Sequence, residues 1–387
     1  MSMTFKTRSL AAAVSVTLCA NAWALDPQSI NVADGVTFTP TLEVRERYDD
    51  NVRAVATSEE STWITSITPT FKLAAEGRKS GYALTYSASS DIFHSSHSDN
   101  NTDHHLTADA GYEFNARSRL RLNAGYHNTE ETASLDQTVE NDQYSTSDVG
   151  GLYTFGAETA RAQIDFGANY QKLRYQNSNG LNADKERDTT ALKSTLYYSV
   201  TPKTRALIEA RHTHYNYATN NALDSNNMAL LGGVTWDATA KTSGTVKVGG
   251  ERKRFDDASS NDNSGSLLEV GVTWMPRTYS TLDLSIRRAL DEGDNGASAI
   301  QAQSTSLSWK HQWLSRLTSN ASVSVSDKEY QDISRDDTLS TLGLGLTYEM
   351  RRWLDVGVGY AYSENDSTSA TERFERNIYS ISVTASL

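Results

Sequence analysis

The sequence has one cysteine, Cys19, and only five prolines among its 387 residues. It has no basic surplus: 36 Lys and Arg stand against 48 Asp and Glu, a net charge of −12. Beyond residue 24 it has no apolar run near the ~20 residues that a membrane-spanning helix needs, and its mean hydropathy is −0.55. Each shortage excludes something. An acidic chain is a poor general nucleic-acid binder, which must neutralise phosphates with a basic face. A lone cysteine excludes a disulfide framework, and its place at residue 19 removes thiol catalysis and cysteine metal sites from the rest of the chain.

Residues 1–24 read as a cleaved signal peptide. Lys6 and Arg8 form its positive start, Leu10 to Ala20 its apolar core, and Ala22-Trp23-Ala24 an A-x-A cleavage site. Leu18 before Cys19 is too large for a lipid-anchor signal. Residues 25–35 are then a short periplasmic segment and 36–387 the folded domain. So short a lead leaves no room for a plug or a periplasmic helical repeat before the first strand.

What the chain does have is period-two alternation, the mark of strands with one apolar face. Leu342, Leu344, Leu346, Tyr348 and Met350 share one face, with Thr341, Gly343, Gly345, Thr347 and Glu349 on the other. Leu268–Trp274, Leu282–Ile286, Val356–Tyr362 and Leu106–Phe114 repeat the pattern. Short connections fall near Glu76–Ser80, Asn115–Ser118, Gly156–Thr159, Thr201–Thr204, Asp237–Thr242, Pro276–Arg277, Leu314–Arg316 and Arg351–Arg352. Long polar ones fall near 49–61, 94–104, 128–142, 174–187, 218–226, 256–265, 291–302, 327–337 and 364–374. Eight short and nine long connections make eighteen strands with both termini beside the short turns; sixteen stays open at this stage.

Short turns on one side, long loops on the other and an even strand number predict a single antiparallel transmembrane β-barrel in a Gram-negative outer membrane. The cause is that lipid cannot satisfy a free sheet edge, so the sheet must close. Phe71, Tyr82, Phe114, Phe155, Tyr198, Trp236, Trp274, Trp313, Tyr348 and Trp353 crowd the short turns, as an interfacial girdle would. The last strand ends Tyr379, Ile381, Val383, Ala385, Leu387 on one face, which resembles the signal read by the outer-membrane barrel assembly machinery, although the usual final residue is aromatic. A β-helix would show a self-similar repeat, and none is present.

With apolar positions towards lipid, their alternates line a lumen. The lumen candidates are Arg45, Arg47, Arg119, Arg121, Arg161, Arg211, Arg287, Glu43, Asp165 and Glu209. Lys72, Lys193, Lys247, Lys253, Lys310 and Arg376 add to the basic side, and Asp109, Glu113, Glu251, Glu269, Asp283 and Asp355 to the acidic. The wall is therefore mildly basic and the loops acidic, which suits a hydrated or anionic solute held by many weak contacts. No nucleophile motif appears, so no enzyme activity and no cofactor are expected. His94, His97, His104 and His105 with Asp99 and Asp103 invite a metal reading, but their spacing matches no closed site. His212 and His214 share one strand face without a serine motif beside them.

The first strand closes in Tyr48-Asp49-Asp50-Asn51-Val52. An early strand ending in this motif resembles the putative β-barrel porin 2 family, linked to capsular and extracellular polysaccharide synthesis. The resemblance implies an outer-membrane channel exporting a polysaccharide, with a periplasmic export partner. The residues by themselves predict a pore in outer-membrane lipid. A general diffusion porin and a barrel-anchored adhesin are the alternatives, and whether loops occlude the lumen stays open.

Overall fold

The structure, a computed structural model, describes residues 29–132, 140–239, 241–258, 260–294 and 296–386. The expected signal peptide lies outside the described residues. A short strand β1 (Ile30–Ala33) pairs with the start of β2 (Val36–Asp49). Then follow β3 (Thr62–Glu76), β4 (Ser80–Phe93), β5 (Asn101–Asn115), β6 (Ser118–Glu131), β7 (Asp142–Phe155) and β8 (Ala162–Tyr175). Next come β9 (Arg187–Thr201), β10 (Thr204–Tyr217), β11 (Ser225–Thr239), β12 (Thr242–Phe255), β13 (Asn263–Arg277) and β14 (Ser280–Glu292). The series ends with β15 (Ala299–Leu314), β16 (Leu317–Tyr330), β17 (Asp336–Arg351), β18 (Leu354–Ser367) and β19 (Phe374–Ser386).

Every strand from β2 onward pairs antiparallel with its sequence neighbours, and β19 returns to β2 from Ile378↔Asp49 to Ser386↔Thr41. Eighteen strands thus close a barrel, and β1 lies as an extra strand at the start of β2. Closure is what lets polar backbone cross a layer that offers no hydrogen bonds.

The eighteen barrel strands run 13 to 16 residues, longer than the ~9–11 that a tilted strand needs to cross a bilayer. The long loops are correspondingly shorter than their polar stretches suggest. The expected connection at 327–337 shrinks to 331–335, and that at 291–302 to 293–298. Alternation of hydrophobicity stops where lipid stops, because both faces then meet water. The backbone ladder does not depend on side chains and continues outward.

The outer face is apolar: Leu84, Val248, Leu344 and Ile381 are all exposed. Nine of the ten girdle aromatics are exposed on it, and only Trp236 is half-buried, its ring over Gly244. A second aromatic ring lies further from the short turns, at Tyr86, Tyr126, Tyr170 and Tyr379, all exposed. Two of its hydroxyls reach polar neighbours: Tyr86 Oη lies 2.9 Å from His104 Nδ1, and Tyr170 Oη donates to Asp188 at 3.0 Å. Tyrosine suits this boundary, its ring in lipid and its hydroxyl in water. Two aromatic rings therefore bound the lipid-facing band.

Candidate functional site in the barrel lumen

The Tyr48–Asn51 motif sits where the last strand meets the first. Tyr48 faces outward against Trp63, ring centroids 5.3 Å apart. Buried Asp49 faces inward and pairs with Arg376 of β19, whose Nε lies 3.0 Å from both carboxylate oxygens. Asp50 receives both the backbone N–H and the side-chain amide of Asn377, at 2.6 and 2.8 Å. Asn51 donates to the carbonyls of Val55 and Glu375 and accepts from the Val55 N–H. Each polar residue of the motif thus takes a separate part in closing the barrel rim. Val52 then packs on inward-facing Ile64 and Phe93, which seats the first loop against the wall.

On the other side the wall opens inward. The β13–β14 ladder starts at Arg277↔Ser280 and stops at Leu268↔Arg288, although both strands continue. Past Arg288 the end of β14 leaves β13 and lies on the lumen face. The Leu290 N–H donates to inward Glu251 of β12 at 2.6 Å, and the Leu290 side chain lies over Gly265 of β13. Fully buried Lys253 donates to Glu292 at 2.5 Å, Tyr217 of β10 donates to the same carboxylate at 2.7 Å, and Lys185 pairs with Asp294 at 3.2 Å. Asn263 bonds Ser298 at 3.1 Å. At the tip, a Cβ on Gly293 would stand 1.9 Å from the Ala297 carbonyl oxygen, so only glycine makes this bend.

Apolar packing fixes the same hairpin. Leu231 and Leu267 point into the lumen, yet both are buried, because Ala289 packs on them. Ile300, Ala297 and Ala302 pack with Tyr330 and Ile333 on the far side. Apolar side chains would be out of place on a wetted wall; here the hairpin covers them.

Below the hairpin lies a charge network. Arg211 bonds Glu209 through Nε at 2.6 Å and holds Glu269 with two nitrogens at 2.6 and 2.9 Å. Lys247 bridges Glu209 at 3.1 Å and Glu269 at 3.2 Å, and Thr195 donates to Glu209 at 2.9 Å. Arg287 binds Asp291 at the root of the hairpin. The structure therefore brings Arg211, Glu209 and Arg287 together in one sector.

The other lumen candidates are dispersed. Arg45 pairs with Glu43 at 2.6 Å, and Arg47 with Asp91. Arg119 turns to Glu158 at the short turn, 2.6 Å away, and Asp165 accepts from Gln163 at 3.1 Å. Arg161, expected on the lumen wall, lies instead in the short turn just before β8, with its guanidinium over outward Tyr198, 5.3 Å from the ring centroid. Arg121 is exposed in the lumen and has no ion-pair partner among the described residues. The inward hairpin escaped the sequence reading. Its signal was there, in apolar residues at lumen positions of β11 and β13, Leu231 and Leu267.

The histidine cluster is taken apart by strand alternation. His94 lies near Glu46 and Thr65, and His104 stacks on Tyr86. His105 points inward to His127, their Nδ1 atoms 2.9 Å apart. Asp99 is held by Arg53 and Asp103 by the Glu130 N–H. Among the described residues no three His, Cys, Asp or Glu side chains are grouped to hold a metal. His212 and His214 face outward, beside exposed Met228 and Leu192.

The fold is similar to OpdO of Pseudomonas aeruginosa, at 14% identity over 90% of this chain and 97% of that one, TM-score 0.51. It is also similar to OccK2 (OpdF) of the same organism, at 13% identity over 90% and 98%, TM-score 0.50. Against the FrpB iron transporter of Neisseria meningitidis the TM-score is 0.47 at 10% identity, covering 84% of this chain and 62% of that larger one. No curated protein matches the sequence. The family model described as putative beta-barrel porin 2 matches residues 33–387, and the chain belongs to that family.

Proposed function

We propose that the protein is a diffusion channel for small hydrophilic solutes in the outer membrane of a Gram-negative bacterium, with its short turns in the periplasm and its long loops outside the cell. The observation that carries this reading is the inward end of the β14–β15 hairpin, held by Lys253 and Glu292 beside the Arg211–Glu209–Lys247–Glu269 network. A segment folded onto the lumen face narrows a polar path, and fixed charges of both signs beside it read a hydrated solute by weak contacts. The family and the closed fold support a porin-like barrel. Nothing in the barrel favours polysaccharide export over diffusion of small solutes.

The test is reconstitution in planar bilayers and in vesicles. Stepwise ion conductance and swelling of vesicles in small sugars, with a size cut-off, are expected. A barrel that folds and inserts but neither conducts nor passes sugars would overturn the reading and leave an adhesin. Orientation is tested separately by single cysteines in the mature chain. A cysteine at Asn261 should react with an impermeant reagent on whole cells, and one at Arg277 should not.

A further inference from the structure

Where the apolar band ends on the outer face, the charges are unevenly placed. On β12 the outward positions run Val246, Val248, Gly250 and then Arg252 and Arg254, both arginines exposed. On β14 they run Leu282, Leu284, Ile286 and then Arg288. Between the two, β13 presents Leu268 opposite Arg288, the last rung of that ladder, and then Ser266 and, opposite Arg252, Ser264, where the ladder to β14 has stopped. The end of the β13–β14 ladder is thus flanked by arginines on both sides. On β16, β18 and β19 the corresponding outward charges are acidic, Asp327, Glu364 and Glu375, and on β8 outward Lys172 and Arg174 stand beside Asp188 of β9, which Arg174 binds at 2.7 Å.

The arginines are not tied up. Arg254 has no ion-pair partner among the described residues. Arg288 has a buried Nε without a hydrogen bond and makes only a 3.4 Å contact to Gln303. Arg252 pairs with Asp262 at 2.9 Å, but both side chains are exposed, and such pairs contribute little and exchange readily. Guanidinium is the side chain best shaped to take phosphate oxygens two at a time. An anion that meets it directly above an apolar wall must carry its own apolar part.

We propose that this sector is a seat for a phosphorylated lipid of the outer leaflet, with acyl chains against Val248, Val270 and Ile286 and phosphates at Arg252, Arg254 and Arg288. The seat rests on the orientation proposed above, and not on which solute the channel passes. Its function is to fix one side of the barrel in the leaflet and to cover from outside the place where β14 parts from β13.

The experiment is native mass spectrometry of the folded barrel, titrated with diphosphorylated lipid A and with its dephosphorylated form. Wild type should retain the phosphorylated lipid with an affinity about tenfold above that of the dephosphorylated one, a difference of about 1.4 kcal/mol. Arg252→Gln/Arg254→Gln/Arg288→Gln should remove that preference, whereas Asp327→Asn/Glu364→Gln/Glu375→Gln should keep it. Heat-modifiable mobility and single-channel conductance of the arginine variant should match wild type, which separates loss of the lipid seat from loss of fold or channel. Equal binding of the two lipids, or an arginine variant that keeps the preference, overturns the proposal. So does displacement of the lipid by millimolar inorganic phosphate, which would make the arginines a free-anion site.

Discussion

Between β19 and β2 the ladder ends at Ile378↔Asp49, and between β13 and β14 it ends at Leu268↔Arg288. At the first seam one more backbone bond follows, from the Asp50 N–H to the Asn377 carbonyl at 3.2 Å, and side chains then take over. Arg376 meets Asp49, Asn377 meets Asp50, and the Glu375 carbonyl accepts from Asn51, so the wall stays shut up to the rim. At the second seam side chains capture the strand end for the lumen. Glu251 takes the Leu290 N–H, Gln301 donates to the Ala289 carbonyl, and Lys253 holds Glu292. Buried backbone groups need partners in both places. Inside the lipid only a neighbouring strand can supply them; above it, side chains decide whether a strand end remains in the wall.

The largest break in this comparison is removal of the closing strand itself. Deleting residues 379–387 takes away most of the register with both β18 and β2 and leaves two edges facing lipid. No heat-modifiable barrel should form, and normal insertion of the truncated chain would show that closure does not depend on this seam.

Next in size is the loss of one rim partner. Asp49→Ala removes a carboxylate that is 1% exposed and leaves Arg376 without its ion pair. Breaking a buried pair costs about 3–5 kcal/mol, and less where water reaches the survivor, as it does Arg376. About 2–3 kcal/mol is expected from urea unfolding in lipid vesicles. At the other seam Lys253→Met strands Glu292, which is only 12% exposed, so it should cost at least as much stability, and it should change transport more, because the hairpin end, once released, widens the path. A conductance rise with normal heat-modifiability is the expected outcome. Joining the hairpin back with Asn263→Cys/Ser298→Cys, at a site where the native side chains are 3.1 Å apart, should reverse it under oxidising conditions. Unchanged conductance in Lys253→Met would mean that apolar packing on Leu231 and Leu267 alone holds the hairpin.

These two seams also mark how far the sequence could be read. Strand number, the side of the short turns and the outward face of β17 were legible because lipid imposes one apolar face, and Leu342–Met350 show it without interruption. The ends of strands were not, since outward positions such as Asp327, Glu329 and Gln303 are polar there, and the period is lost while the ladder continues. The Tyr48–Asn51 motif was visible as a motif, but its partners Arg376 and Asn377 lie at the far end of the chain. Only closure brings them together. Alternation gave each lumen charge a face but not a partner. Arg211 and Glu269 are 58 positions apart and meet across β11 and β12.

A wall position remote from both seams supplies the baseline, and there the smallest effect is expected. Arg121 lies on β6, exposed to the lumen between Gly111 and Leu152, and its side chain bonds to no described residue. Nothing in the fold rests on its charge, so Arg121→Gln should leave stability within about 0.5 kcal/mol of wild type. The charge still contributes to the lumen field, and its loss should move ion preference towards cations. In a water-filled path at physiological salt that field is screened over ~8 Å, so the permeability ratio should change by less than about twofold. Lowering the salt lengthens the screening distance and should enlarge the shift. Arg45→Gln offers the contrast, because it leaves Glu43 uncompensated 2.6 Å from where the guanidinium stood and should shift preference further. A larger shift from Arg121 than from Arg45 would place the narrow part of the path beside β6, away from the β14–β15 hairpin.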